Sequence, residues 1–184
     1  MVMAQWLLAT TAAWTSVLAL LSQPVRVPSA VPGFSQSIAQ ISQATPNGRT
    51  TTPTVISTGA MEQSILQQIN QYRQKKKLPL LATNSIITQQ ARQHSQTMAS
   101  RRVMSHDGFS TRVANIGKSI AYRSAAENVA YNMGYSAPER QAVEGWLKST
   151  GHRRNIEGNY NLTGIGVAKN AQGEYYFTQI FIKR

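Results

Sequence analysis

Two alternating stretches, 163–168 and 176–182, constrain the fold most. Thr163, Ile165 and Val167 alternate with Gly164, Gly166 and Ala168, and Tyr176, Thr178, Ile180 and Ile182 alternate with Phe177, Gln179 and Phe181. A period of two is the signature of a strand. Between them Asn170-Ala171-Gln172-Gly173 supplies turn residues, so the two stretches form a hairpin. Each strand carries apolar or aromatic side chains on both faces, so neither face of the sheet can be left in water. The rest of the chain must therefore supply cover for both.

The segments upstream read as that cover. Ile65, Leu66, Ile69 and Tyr72 recur every three to four residues and predict a helix from Met61 to Lys77, ended by Leu78 and Pro79. A second helix starts near Asn84, with Ile87, Ala91, His94 and Met98 along one stripe, and a short one runs from Ser110 to Ile116. A strand is expected near 127–132. Ser136-Ala137-Pro138-Glu139 reads as a capped start for a further helix, with Ala142, Val143, Trp146 and Leu147 inward and Gly151 as its stop. This order predicts an α+β domain, with helices packed around an antiparallel sheet.

The domain is confined to part of the chain. All seven acidic residues, all three histidines and 17 of the 19 basic residues lie in 61–184, giving that stretch a formal charge of +10. Residues 6–21 are uncharged and apolar, shorter than the roughly 20 residues of a spanning helix. They suit the core of a signal peptide, with Pro28-Ser29-Ala30 as the cleavage region. The first basic residue, Arg26, follows this run, so an uncleaved N-terminal anchor is the alternative for 1–30. Residues 31–60, rich in Pro, Ser, Thr, Gln and Gly and free of acids, read as a flexible linker. The protein is accordingly expected outside the cytoplasm, secreted or N-terminally anchored to the membrane.

Chemistry is limited by what is missing. There is no cysteine, which excludes disulfide scaffolds, thiolate-held zinc, iron–sulfur clusters and thiol catalysis. His94 lies on an apolar stripe and reads as a packed, hydrogen-bonded core residue. His106 stands in a polar loop and His152 beside Gly151, while Glu127 enters an apolar run. A carboxylate there is costly unless it is paired or coordinated. Two imidazoles and a carboxylate would suffice for zinc with an open position, although spacings of 21 and 25 residues match no local metal motif. Ser149 near His152 invites a hydrolase reading, but no nucleophile elbow or orienting acid accompanies it. Lys75-Lys76-Lys77 reads as a solvated helix end, and Asn161-Leu162-Thr163 fits a glycosylation pattern that matters only in a glycosylating host.

Several motifs in order resemble one family. Ile69-Asn70 with Arg73, Leu78-Pro79-Leu80, the Ala91…His94-Ser95…Met98 helix and Ser105-His106 come first. Ala126-Glu127-Asn128-Val129-Ala130 resembles a "GENIA" element, and Trp146-Leu147-Lys148-Ser149-Thr150-Gly151-His152-Arg153-Arg154-Asn155-Ile156 resembles "WxxSxGHRxNI". With the final strands these are similar to the bacterial branch of the CAP superfamily, the SCP/PR-1-like domain, over essentially all of 61–184. The resemblance implies a three-layer α-β-α sandwich with a central antiparallel sheet and a cleft. It implies two histidines and two acids in that cleft, with a divalent metal such as zinc bound in several members. His106, Glu127 and His152 match three of those positions, and Ser149 stands where the second acid is expected.

The leading expectation is a secreted or surface-tethered binding or interaction module rather than an enzyme, its cleft holding a ligand and a divalent metal on His106, Glu127 and His152. The positive charge favours lipid headgroups or an anionic cell-wall polymer as partners. Nucleic acid is disfavoured, since no aromatics interleave with a Lys/Arg cluster. Membrane contact is expected only through an uncleaved N-terminus. The alternative is a metal-dependent hydrolase using the same residues. A further alternative makes Glu127 a structural link between helices and sheet.

Overall fold

The computed structural model describes residues 57–184. The leader or anchor read at 1–30, and the linker up to residue 56, lie outside the described residues. In chain order the elements are α1 (Thr58–Lys75), β1 (Ala82–Thr83), α2 (Ser85–Arg101), α3 (Phe109–Gly117), β2 (Ser124–Asn132), α4 (Pro138–Lys148), α5 (Thr150–Glu157), β3 (Leu162–Lys169) and β4 (Tyr175–Lys183). They form the α-β-α sandwich that the two-faced hairpin demands. One face of the sheet carries α1 and α4, whose Ile65, Ile69 and Trp146 pack with Ile165, Val167 and Phe177. The other carries α2 and α3, where Ile87, Ala91 and Ile116 meet Ile180 and Ile182. None of the described helices is long and apolar enough to cross a membrane.

The sheet order is β1-β3-β4-β2. β4 pairs antiparallel with both neighbours, with Ile165 opposite Gln179 and Glu127 opposite Ile180. The sheet is not wholly antiparallel, however: β1 runs parallel to β3, with Ala82 opposite Leu162. The physical reason is topological. α1 lies on one face and α2 on the other, so the chain must pass the sheet edge between them. Two residues are too few to show a period in sequence. β2 makes the reverse passage at the opposite edge, between α3 and α4, and this crossing creates the cleft.

Local chemistry moves several boundaries. α1 starts three residues before the expected Met61, because Ser57 caps it by accepting from the Ala60 N–H at 3.2 Å. It ends at Lys75, before a left-handed Lys77. Buried Arg73 then gathers the chain around it, donating to Pro79 O at 2.7 Å, Ile156 O at 2.6 Å and Gly158 O at 2.9 Å. α2 starts near Asn84 as expected, and Asn84 caps it by accepting from the Ile86 and Ile87 N–H groups. Ser136 does not cap α4: the cap position is Ala137, without a side-chain bond, and Glu139 turns inward instead of reaching back. Gly151 does not end a helix either. α4 stops at Lys148, Ser149 is extended, and α5 begins at Thr150, with Gly151 and His152 in its first turn. Arg153 seeds that turn, its N–H donating to Ser149 O at 2.8 Å and its guanidinium to Leu147 O at 2.9 Å.

The hairpin turn is tied to the end of α2. Arg102 forks onto Glu174 at 2.8 and 3.0 Å, and Asn170 Nδ2 also donates to that carboxylate. The Arg102 fork first, then the Asn170 bond, hold the Glu174 carboxyl at about 2, against an ordinary value of 4.5. A depressed folded-state value stabilises at neutral pH and is lost as pH falls from about 4.5 through about 2. Glu174→Gln is therefore expected to flatten the fall of melting temperature across that window. An unchanged acid profile would show that the tie adds nothing.

Candidate functional site

The cleft sits where β2 passes the sheet edge. Glu127 lies in its first half, with a side chain only 1 % exposed. The sequence reads such a carboxylate as needing a partner, and the partner is Arg112 of α3. Arg112 Nε donates to Glu127 Oε2 at 2.9 Å and Nη2 donates to Oε1 at 2.8 Å. Arg112 shares the buried side of α3 with Val113 and Ile116, which turns its guanidinium toward the sheet. Its Nη1 donates to Asp107 O at 2.6 Å, so the fork also fixes the loop that carries His106.

His106 Nδ1–H donates to Glu127 Oε1 at 3.0 Å. A carboxylate can only accept, so in a neutral ring this bond leaves Nε2 as the acceptor. The ring itself is half exposed to the cleft. His152 lies on the other wall, in the first turn of α5. Asn128 Nδ2 donates to His152 O at 3.1 Å, and Asn155 Nδ2 donates to Asn128 Oδ1 at 2.9 Å, which stitches α5 onto β2. Burial, and secondarily the neighbouring His106, push the His152 ring below the ordinary histidine value. His152 is thus neutral at pH 7. His94 behaves as its stripe position implies: buried in α2, with its Nε2 2.8 Å from Ser105 O. Burial lowers it too.

Of the expected metal set of His106, Glu127 and His152, the carboxylate is already engaged. Both Glu127 oxygens are taken by the Arg112 fork, and one of them also by His106. A cation placed on this carboxylate would sit against a fixed guanidinium. Among the described residues no three His, Cys, Asp or Glu side chains are placed to hold a metal ion. As the side chains stand, the Arg112 fork leaves the Glu127 carboxylate no open position for zinc. Sequence reasoning missed Arg112, although an arginine among the apolar positions of a short helix is the signal that would have found it.

Beside His152 a groove of about 600 Å³ opens along β2 and α4, its walls including Met104, Val129, Trp146 and Ser149. Trp146 forms the back, its indole N–H donating to Val129 O at 2.9 Å. Met104, Tyr131, Met133 and Tyr135 are exposed, apolar at the mouth.

Comparison with known proteins agrees with this architecture. The model of the CAP family, the cysteine-rich secretory protein family, matches residues 66–181. The uncharacterised membrane protein YlbC of Bacillus subtilis is 33% identical over 129 residues, 67% of this chain but 34% of its own length. An extracellular SCP-domain protein of Bacillus anthracis superposes with a TM-score of 0.57 at 30% identity, covering 69% of this chain and 41% of that one. An outer surface protein of Borrelia burgdorferi shares the fold, with a TM-score of 0.62 at 20% identity over 70% of this chain and 96% of its own. The chain thus spans about a third of the curated relative it matches. With both crossings, the buried Glu127 and most of the final hairpin inside the matched span, the chain belongs to the CAP family, although it has no cysteine of its own.

Proposed function

We propose that the protein is an extracytoplasmic binding module whose cleft takes its ligand without a metal and without turning it over. The observation that carries this reading is the Arg112 fork. It occupies the one carboxylate that a hydrolase of this kind would need as a ligand or general base. A metal-dependent hydrolase therefore loses its third ligand and its base together, since Ser149 supplies no second acid. What remains is a half-open apolar groove with a neutral imidazole and a hydroxyl at one end, of a size that suits a ligand site. The +10 charge of 61–184 brings the module to anionic cell-wall or membrane surfaces, and membrane attachment belongs to the N-terminal segment.

Zinc titration by calorimetry on the full chain tests the metal-free reading. No stoichiometric binding is expected in the wild type. Binding of one zinc per chain, lost in His106→Ala/His152→Ala, would overturn it and reopen the hydrolase.

A further inference from the structure

The groove's floor is the free edge of β2, and strand pairing decides what that edge offers. Asn161 N–H donates to Ile182 O, and Thr163 Oγ1 donates to Ile180 O, so the even residues of β4 serve β3. Its odd residues serve β2. By register their partners are Ser124, Ala126, Asn128, Ala130 and Asn132. Glu127, Val129 and Tyr131 therefore turn their N–H and C=O groups outward. Two of these carbonyls are covered, Glu127 O by Asn155 at 3.3 Å and Val129 O by Trp146 at 2.9 Å. The Tyr131 N–H and C=O have no partner among the described residues.

One residue further, Asn132 adds a second sign of a missing partner. Its Nδ2 donates to Pro138 O at 2.8 Å, which fixes the orientation of the amide. Its Oδ1 is left buried and unbonded, in a residue only 7% exposed that lines the groove. A buried acceptor without a donor is unfavourable, and a ligand N–H that reaches it recovers that loss. The groove has no Asp, Glu, Lys or Arg in its lining. In a strongly basic domain, this uncharged strip suits an occupant that is itself uncharged, because a charged group would lose hydration and meet no countercharge.

We propose that the groove binds an uncharged, extended peptide segment as an added strand on the outer edge of β2, paired with the Tyr131 backbone and donating an N–H to Asn132 Oδ1. The proposal rests on the reading of the cleft as a binding site and names its ligand. Main-chain bonds at Tyr131 hold such a peptide, and alternate side chains enter the apolar walls on either side of the edge, toward Met104 and toward Trp146. The covered Val129 carbonyl on one side and the left-handed Gly134 on the other keep the paired stretch short.

Calorimetry on the full chain, with short acetylated and amidated peptides of alternating valine and threonine as the probe, tests this. Saturable binding is expected, weakened about tenfold when the peptide's central amides are N-methylated. Tyr131→Pro should weaken it similarly, because proline removes the outward N–H while an edge strand keeps its ladder. Tyr131→Ala, which keeps that N–H but loses a side chain at the groove mouth, should weaken binding less than Tyr131→Pro does. Absence of any peptide binding overturns the proposal. So does binding indifferent to N-methylation, although that result leaves the cleft a binding site. Should Tyr131→Pro fail to fold, the N-methylated peptide on the wild type decides alone. Zinc binding in the separate titration would instead overturn the metal-free reading.

Discussion

Arg112→Met is expected to cost about 3–5 kcal/mol of folding stability, because it leaves the Glu127 carboxylate in the interior with only its bond from His106. Glu127 is 1% exposed at its side chain and Arg112 11%, so water cannot take over the lost bonds. The loss should exceed the transfer value of the side chain itself, since the cost is that of a buried charge without its guanidinium. Adding Glu127→Gln to the variant should recover much of it by removing that charge. Urea denaturation of the two variants checks both steps. A loss below about 1 kcal/mol for Arg112→Met would mean that the His106 bond or a new partner suffices for Glu127.

Gly166→Ala and Gly164→Ala form the second large effect. These glycines lie on the face of β3 that carries α2, and each leaves room for the helix backbone itself. A Cβ at Gly166 would overlap the Ala91 carbonyl and Arg92 nitrogen, and one at Gly164 the Ile87 carbonyl carbon and Thr88 nitrogen. Backbone cannot step aside as a flexible side chain can. Each substitution is expected to cost at least the upper part of the roughly 1–3 kcal/mol usual for overpacking, and the pair together should prevent folding. Gly145→Ala is the control: nothing lies within 4 Å of its Cβ position in α4, so it should be neutral or stabilising. Thermal melts of the three single variants separate the cases. Equal melting temperatures would show that α2 can lift off β3 at little cost.

The sheet was legible in sequence because a hairpin apolar on both faces has one solution, cover on both sides. The α2 stripe was legible for a similar reason: Ile87, Ala91, His94 and Met98 recur at helical spacing, and all four are buried. Features that depend on distant partners were not. Arg112 and Glu127 are 15 residues apart on different elements, so their fork leaves no local pattern. α5 was hidden by Gly151, which reads as a stop but lies in a new first turn seeded by Arg153. Ser136 has the residue type of a cap but stands one position too early. Glu127 itself was legible as an acid in need of a partner. Which partner it takes, a metal or a guanidinium, was a matter of packing.

Both borders of the sheet are poor templates for polymerisation. β1 spans two residues, and on β2 Asn155 and Trp146 already occupy successive outward carbonyls. Two copies meeting border to border would find no unbroken run of donors and acceptors to zip together. The side chains that confine a guest strand to a single step thus also keep crowded molecules from growing into fibres.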